Sequence, residues 1–220
     1  MFLDSADPRT WTLGPGCPPV AGVTTNPTLV HQAGRPVSLP GYLGLLNEAL
    51  NAQVPHLMLQ LPTPDVSEGL DWLDALVAAA GSALQLTFKL PCQADWAPLL
   101  QAVQGRGQTT LLTGLSNPIQ LLWAQHLRAD YVAPYLGRLL TDGRDAWALM
   151  DATVAVQREE HGPKLLAASV KTADAFARLQ ALGAHAVTVR PEFVTSLASD
   201  PLTRAAITQF ETDRKASLKG

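Results

Sequence analysis

One lysine sits where a surface charge does not belong. Lys89 is the only lysine before Lys164, and it lies in Leu84-Gln85-Leu86-Thr87-Phe88-Lys89-Leu90-Pro91. Side chains alternate along a strand, so Leu86, Phe88 and Leu90 share one face while Gln85, Thr87 and Lys89 share the other. In a barrel the apolar set packs on surrounding helices and the polar set points inside, with Lys89 last, at the C-terminal end of the strand where barrel active sites lie. An ammonium there is costly to desolvate, so its pKa falls below the free value of about 10.4. A neutral amine attacks carbonyls and forms Schiff bases. The competing reading is a lysine that snorkels out at the strand end or pairs with a carboxylate. Other strand ends carry polar residues in the same direction: Asp4, Thr24 with Thr25 and Asn26, Gln60, Thr113, Tyr135 and Ser169. Each alone reads as a turn residue; together they read as a site.

The elements that must position them alternate between short apolar runs and longer helical segments, the pattern of an α/β fold with parallel strands. Strands are predicted over Met1–Asp4, Val20–Thr24, His56–Leu61, Leu84–Leu90, Gln108–Thr113, Asp130–Tyr135, Lys164–Ser169 and His185–Val189. Helical spacing of apolar residues predicts helices over Tyr42–Asn51, Val66–Ala80 and Ala146–Glu159. Pro8–Pro19 is rich in Gly and Pro, so a first helix there is short or missing, and Val30–Pro40 reads as a loop. Eight such units in one domain predict a (β/α)8 TIM barrel, below the usual length of about 250 residues. A doubly wound open sheet is the alternative, weakened because no Gly-rich phosphate loop follows the first strand. Pro201–Leu218 reads as an extra C-terminal helix with a polar face.

Composition bounds the function classes. The chain has 220 residues, 47% hydrophobic and 16% charged, with a net charge of −3. This is too apolar and too weakly charged for a disordered chain. A pI near 5.9 argues against nucleic acid or an anionic membrane as partner. No run approaches the roughly 18 apolar residues of a membrane span, and the N-terminus lacks a signal-peptide pattern. Two cysteines, Cys17 and Cys92, make no disulfide framework, so a cytoplasmic location is expected. Cys92 follows Pro91 at an expected helix start, which lowers a thiol pKa if it is exposed; a buried structural thiol is the other reading. The five histidines, at 31, 56, 126, 161 and 185, show no metal-ligand spacing, so neither a metal nor another cofactor is expected.

Met1-Phe2-Leu3-Asp4-Ser5-Ala6 followed by Gly22-Val23-Thr24-Thr25-Asn26-Pro27 resembles the opening of the transaldolase family in its small form. Phe88-Lys89-Leu90-Pro91 resembles the family's Schiff-base strand. Tyr131-Val132-Ala133-Pro134-Tyr135-Leu136-Gly137-Arg138 and Leu166-Ala167-Ala168-Ser169-Val170-Lys171 are similar to two further motifs, in family order. The resemblance implies a (β/α)8 barrel and metal-free class I aldol chemistry on a sugar phosphate. It implies Lys89 as the Schiff-base lysine, Asp4 as the acid that handles protons and substrate hydroxyls, and Thr25 and Asn26 as substrate-binding residues. It further implies that Gln60 and Thr113 position a catalytic water, and that Arg138, Ser169 and Lys171 hold the phosphate. A homo-oligomer, pentamer or decamer, locked by the C-terminal helix is also implied.

Within the family, true transaldolases usually carry Glu where this chain has Gln60 and Phe where it has Tyr135. Gln with Tyr resembles the fructose-6-phosphate aldolase branch, which releases dihydroxyacetone, and Tyr135 is then the general acid/base. Ser116 and Asn117-Pro118 depart from the family pattern, as does the Gly/Pro content of Pro8–Pro19, whereas Gln120 keeps it. Alternatives stay open: a transaldolase, a non-catalytic phosphosugar-binding barrel, or an assembly role for the last helix. Arg138 could instead pair with Asp142 or Asp145. Val170-Lys171-Thr172 also resembles the Schiff-base strand of deoxyribose-phosphate aldolases.

Overall fold

The computed structural model describes residues 1–14, 17–197 and 200–218; Pro15 and Gly16, inside the Gly/Pro-rich segment, and residues 198, 199, 219 and 220 lie outside the described residues. Eight parallel strands close a barrel in chain order: β1 (Phe2–Asp4), β2 (Gly22–Thr24), β3 (His56–Gln60), β4 (Gln85–Pro91), β5 (Thr110–Leu115), β6 (Tyr131–Pro134), β7 (Lys164–Ala167) and β8 (Ala186–Val189). Around them run α1 (Pro27–Gln32), α2 (Leu39–Asn51), α3 (Val66–Ala80), α4 (Ala97–Gly105), α5 (Pro118–His126), α6 (Leu136–Thr141), α7 (Ala146–Val156), α8 (Ala173–Leu182), α9 (Pro191–Leu197) and α10 (Pro201–Ser217). This is the (β/α)8 barrel with a C-terminal helix. No helix among the described residues is long and apolar enough to cross a membrane.

Strand alternation divides the core in two. Leu86, Phe88 and Leu90 of β4 join Leu73, Leu76 and Leu99 in the layer between barrel and helices. Inside the barrel, Phe2, Met58, Leu111, Ala133, Leu166 and Ala186 form a separate plug. Ala133 and Leu166 of this plug also line the hollow at the mouth, together with the polar strand ends.

Local chemistry explains where the helices start. Asn26 and Asn117 each cap a helix whose next residue is proline, accepting from Leu29 N and Gln120 N at 3.0 Å. The proline lacks the N–H that a first-turn residue would leave orphaned anyway. The cap at Asn26 starts a short α1 that overlaps the expected loop at Val30–Pro40, and Ser38 starts α2 three residues before Tyr42. Among the described residues of the segment after β1, only Pro8–Thr10 is helical, as one 3-10 turn. Strand β5 runs past Thr113 to Leu115 because Gly114, at φ 77, makes a bulge that shifts the register against β6. That left-handed conformation suits glycine alone at little cost.

His56 opens the inward series of β3 near the barrel floor. Its Nε2 lies 2.8 Å from Thr87 Oγ1 and its ring meets Phe2 edge-on at 5.4 Å. Burial pushes its pKa down to about 4. The unfolded chain protonates this ring below about pH 6.5, while the folded chain resists until about pH 4, so stability falls as pH drops through that window. The loss is on the order of 3 kcal/mol. Thermal unfolding of His56→Gln, which keeps a hydrogen-bonding group for Thr87, is expected to depend less on pH between 6.5 and 4 than wild type. Equal pH dependence in the two proteins would remove His56 as the cause.

Candidate active site

The mouth of the barrel holds a cavity of about 200 Å3 lined by Asp4, Asn26, Lys89, Thr113, Tyr135, Arg138, Ser169, Lys171, Thr188 and Arg190 among others. Eight of the ten residues singled out in the sequence therefore meet in one place. Gln60 and Thr25 stand apart from this lining. Gln60 is the register partner of Lys89 across β3 and β4, on the same inward series as Met58 and His56. Its backbone carbonyl accepts from Tyr42 Oη at 3.1 Å, which ties the end of β3 to α2. Thr25 contributes its backbone: Lys89 Nζ donates to the Thr25 carbonyl at 2.6 Å, while the Thr25 hydroxyl is buried without a partner.

Lys89 is 5% exposed, and burial lowers its pKa to about 8, partly opposed by the negative charge of Asp4. At pH 7.5 roughly one such lysine in four is neutral, against about one in a thousand for an ordinary lysine. The competing picture of a snorkelling lysine does not hold, because the ammonium is enclosed and bonded to a carbonyl.

Asp4 is oriented by a chain of hydroxyls. Thr24 Oγ1 donates to Asp4 Oδ1 at 2.9 Å and sits 2.7 Å from Thr188 Oγ1. Thr24 has one hydroxyl hydrogen, so with that hydrogen on Asp4 it is Thr188 that donates to Thr24. Thr113 Oγ1 and Tyr135 Oη lie 2.6 Å apart, and burial raises the tyrosine pKa, opposed by the Thr113 hydrogen bond and the Arg138 charge. Asn26 spends its Oδ1 on the cap of α1, which leaves its amide N–H2 to face the cavity as a donor.

The cationic side of the mouth is built by close backbone approach. Gly137 N donates to Ser169 O at 3.0 Å and Leu136 N to Ala168 O at 2.9 Å, so the first amides of α6 are spent on the end of β7. A Cβ on Gly137 would stand 2.5 Å from Ser169 O and 3.1 Å from Lys171 Cε. Only glycine lets α6, which carries Arg138, sit this close to Ser169 and Lys171. Ser169 itself is left-handed at φ 59, an uncommon state for serine that turns the chain toward the mouth. Arg138 does not pair with Asp142 or Asp145: Arg144 takes Asp142 at 2.6 Å, and Asp145 caps α7. The Arg138 guanidinium lies 4.6 Å from the centre of the Tyr135 ring.

Of the two readings of Cys92, the buried structural thiol is the one observed. It precedes a 3-10 turn at Ala94–Trp96 instead of opening α4, and burial pushes its pKa up to about 12. Gln120 closes this corner, donating from Nε2 to Cys92 O at 2.8 Å while its Oε1 accepts from Ser116 N at 2.7 Å. The sequence reading missed Thr188 and Arg190. The alternation Ala186, Thr188, Arg190 along β8 and just past it is the signal that could have found them.

Comparison with known proteins places the chain in a family. The profile of the Transaldolase/Fructose-6-phosphate aldolase family matches residues 74–219. The chain belongs to this family. A probable transaldolase of a Caulobacter species is 30% identical over 219 residues, covering 97% of this chain and 95% of its own. Probable transaldolase 2 of Bacillus cereus is 30% identical over 222 residues, covering 97% and 96%. Among solved structures, orotidine 5'-monophosphate decarboxylase from Sulfolobus solfataricus superposes with a TM-score of 0.56 at 8% identity, covering 86% of this chain and 87% of that one. That likeness concerns the barrel fold alone. As a family member the protein is an enzyme of the transaldolase/aldolase type.

Proposed function

We propose that the protein is a class I aldolase that cleaves fructose 6-phosphate or a related ketose phosphate, reversibly, to dihydroxyacetone and an aldose phosphate. The observation that carries this reading is the enclosed Lys89, with its lowered pKa, on the wall of a cavity that also holds a carboxylate, a phenol and a cluster of cations. Neutral Lys89 attacks the C2 carbonyl, and the carbinolamine loses water to give an iminium. The departing water carries away the phenolic proton of Tyr135, and the phenolate so formed takes the proton of the C4 hydroxyl, directly or through a water near Gln60 and Thr113. The C3–C4 bonding pair then moves toward the iminium nitrogen, the aldehyde departs, and an enamine of three carbons remains on Lys89. Protonation at C3 and attack by water release dihydroxyacetone and regenerate the amine. Asp4 and Asn26 hold the donor hydroxyls. Arg138 and Lys171 balance the phosphate charge and Ser169 adds a directed hydrogen bond.

A transaldolase is the second reading, favoured by the names of the relatives, and it differs only in the fate of the enamine, which attacks an acceptor aldehyde instead of a proton. Gln60 and Tyr135 support the aldolase. The proposal extends to assembly. No residue of α10 is buried, and Leu202, Ala206 and Phe210, with Ile207 beside them, form an apolar stripe along it. A second copy of the chain is its proposed partner.

Borohydride reduction with dihydroxyacetone is expected to leave a three-carbon adduct on the peptide carrying Lys89, absent from Lys89→Met. An adduct on Lys171, or none on folded wild type, overturns the reading. Free dihydroxyacetone formed from fructose 6-phosphate without acceptor distinguishes the aldolase; product only on adding an acceptor aldose phosphate selects the transaldolase. The trapping rate should rise with pH through about 8, because the neutral amine reacts. In Asp4→Asn the charge that raises the lysine pKa is gone, so the inflection should move below 8, and an upward move would contradict the assigned coupling. Light scattering should give a multimer for the full chain and a smaller species when residues 201–220 are removed; the same mass for both would exclude α10 as the lock.

A further inference from the structure

Arg190 follows β8 directly, and the inward series of that strand is Ala186, Thr188 and then Arg190. Ala186 belongs to the apolar plug and Thr188 to the hydroxyl chain on Asp4, so alternation carries Arg190 to the mouth. There it lines the same cavity as Lys89, Arg138 and Lys171. Arg138, Lys171 and Arg190 follow β6, β7 and β8, which are neighbours in the barrel, so the three cations occupy one arc of the rim. Arg190 also borders a second hollow of about 280 Å3, which shares Asp4 and Leu29 with the first and continues past Asp7, Gln32 and Glu192. Asp7 is taken by Arg9 at 2.7 Å. Among the described residues the exposed Arg190 guanidinium forms no ion pair, although Glu192 borders the same hollow. An arginine on a cavity wall that leaves a nearby carboxylate unused is available to a ligand.

We infer that Arg190 makes the mouth select phosphorylated over unphosphorylated substrates, by closing on a phosphate held by Arg138, Ser169 and Lys171. The inference rests on the proposed reading of the mouth as a sugar-phosphate site. A phosphate monoester at neutral pH carries close to two negative charges and three acceptor oxygens. Two cations balance that charge, and a third, with the fork geometry of arginine, binds a further pair of oxygens and raises the cost of losing the phosphate. Arg138 is already stacked at Tyr135, which restricts its direction of approach. Arg190 approaches from the opposite end of the arc, so the phosphate is gripped from two sides and an uncharged hydroxymethyl group is not.

Calorimetric titration of inorganic phosphate at low ionic strength tests this on wild type, Arg190→Gln, Arg190→Lys, Arg138→Gln and Glu192→Gln. Loss of one charged hydrogen-bonding group is expected to weaken phosphate binding about tenfold in Arg190→Gln, with part restored in Arg190→Lys. In turnover, the preference in kcat/KM for a phosphorylated over an unphosphorylated aldehyde should fall by a similar factor, mostly through KM. Glu192→Gln should bind phosphate at least as well as wild type. Phosphate binding by Arg190→Gln equal to wild type, alongside weakened Arg138→Gln, overturns the inference. Equal losses for phosphorylated and unphosphorylated aldehydes overturn it too, since Arg190 would then act on the fold and not on the charge. Phosphate binding needs no Schiff base. A wild type that fails borohydride trapping, yet loses phosphate affinity in Arg190→Gln, therefore sinks the proposed reaction and supports the role of Arg190.

Discussion

The desolvated ammonium of Lys89 is the constraint around which the mouth of the barrel is arranged. Removing such a charge from water is costly, and the protein offsets only part of that cost, which is why the pKa falls to about 8. The offset comes from one backbone carbonyl and one carboxylate. The ladder between β2 and β3 ends at Thr24 and Met58, with the Thr25 amide still donating to the Met58 carbonyl. The Thr25 carbonyl lies beyond that ladder and takes Lys89 Nζ instead. Asn26 and Pro27 then turn the chain into α1, and proline has no N–H to compete. A strand stopped one residue early thus supplies the single strong acceptor that holds the amine in place.

That arrangement explains which parts were legible in the sequence. Lys89, Asp4, Thr113 and Tyr135 were found because strands have a period of two and because a lone lysine after alternating apolar residues breaks the pattern. The barrel itself followed from the repeated strand and helix rhythm. Roles carried by the backbone were not legible. Thr25 acts on Lys89 through its carbonyl, a group that every residue has, so its side chain pointed to the right position for the wrong atom. Helix α1 was hidden because six residues give little periodicity and its cap, Asn26, reads first as a polar strand end. Arg190 is hard to read from the sequence because the apolar run stops at Val189, one position before it. Cys92 was open to two readings because Pro91 looks like a helix start; burial and the intervening 3-10 turn decide between them.

The charges at the mouth are divided, and the division has consequences for how a substrate lies. Asp4 on β1 is the cavity's carboxylate, while Arg138, Lys171 and Arg190 follow β6 to β8. In the proposed reaction the phosphate is drawn to that arc and the hydroxyl-bearing donor end to Asp4 and Asn26, with Lys89 between strands of the other half. Gln60 belongs to the same logic. It is the register neighbour of Lys89, and a carboxylate there would favour the ammonium and raise the lysine pKa again. An amide adds no such charge beside Lys89, and so preserves the neutral fraction that nucleophilic attack requires in the proposed reaction.

Tyr135 bears on the direction of the chemistry. Burial raises its pKa, so the phenol holds its proton across the range in which Lys89 titrates. A phenol in that state is a ready donor and a weak acceptor. In the proposed aldol addition it gives its proton to the carbonyl oxygen as the enamine attacks the aldehyde, with Thr113 at 2.6 Å keeping the hydroxyl aimed into the cavity. Cleavage is the reverse, and it requires the phenolate that this donation leaves to take the proton back; the Thr113 hydrogen bond and the Arg138 charge favour that anion. Phenylalanine at this position could do neither and would leave proton transfer to water held by its neighbours. In the proposed reaction the hydroxyl of Tyr135 thus reduces the reliance on an acidic side chain at position 60: the group that moves the proton stands at the end of β6, two strands from β4, and not on β3, where Gln60 is the register neighbour of Lys89.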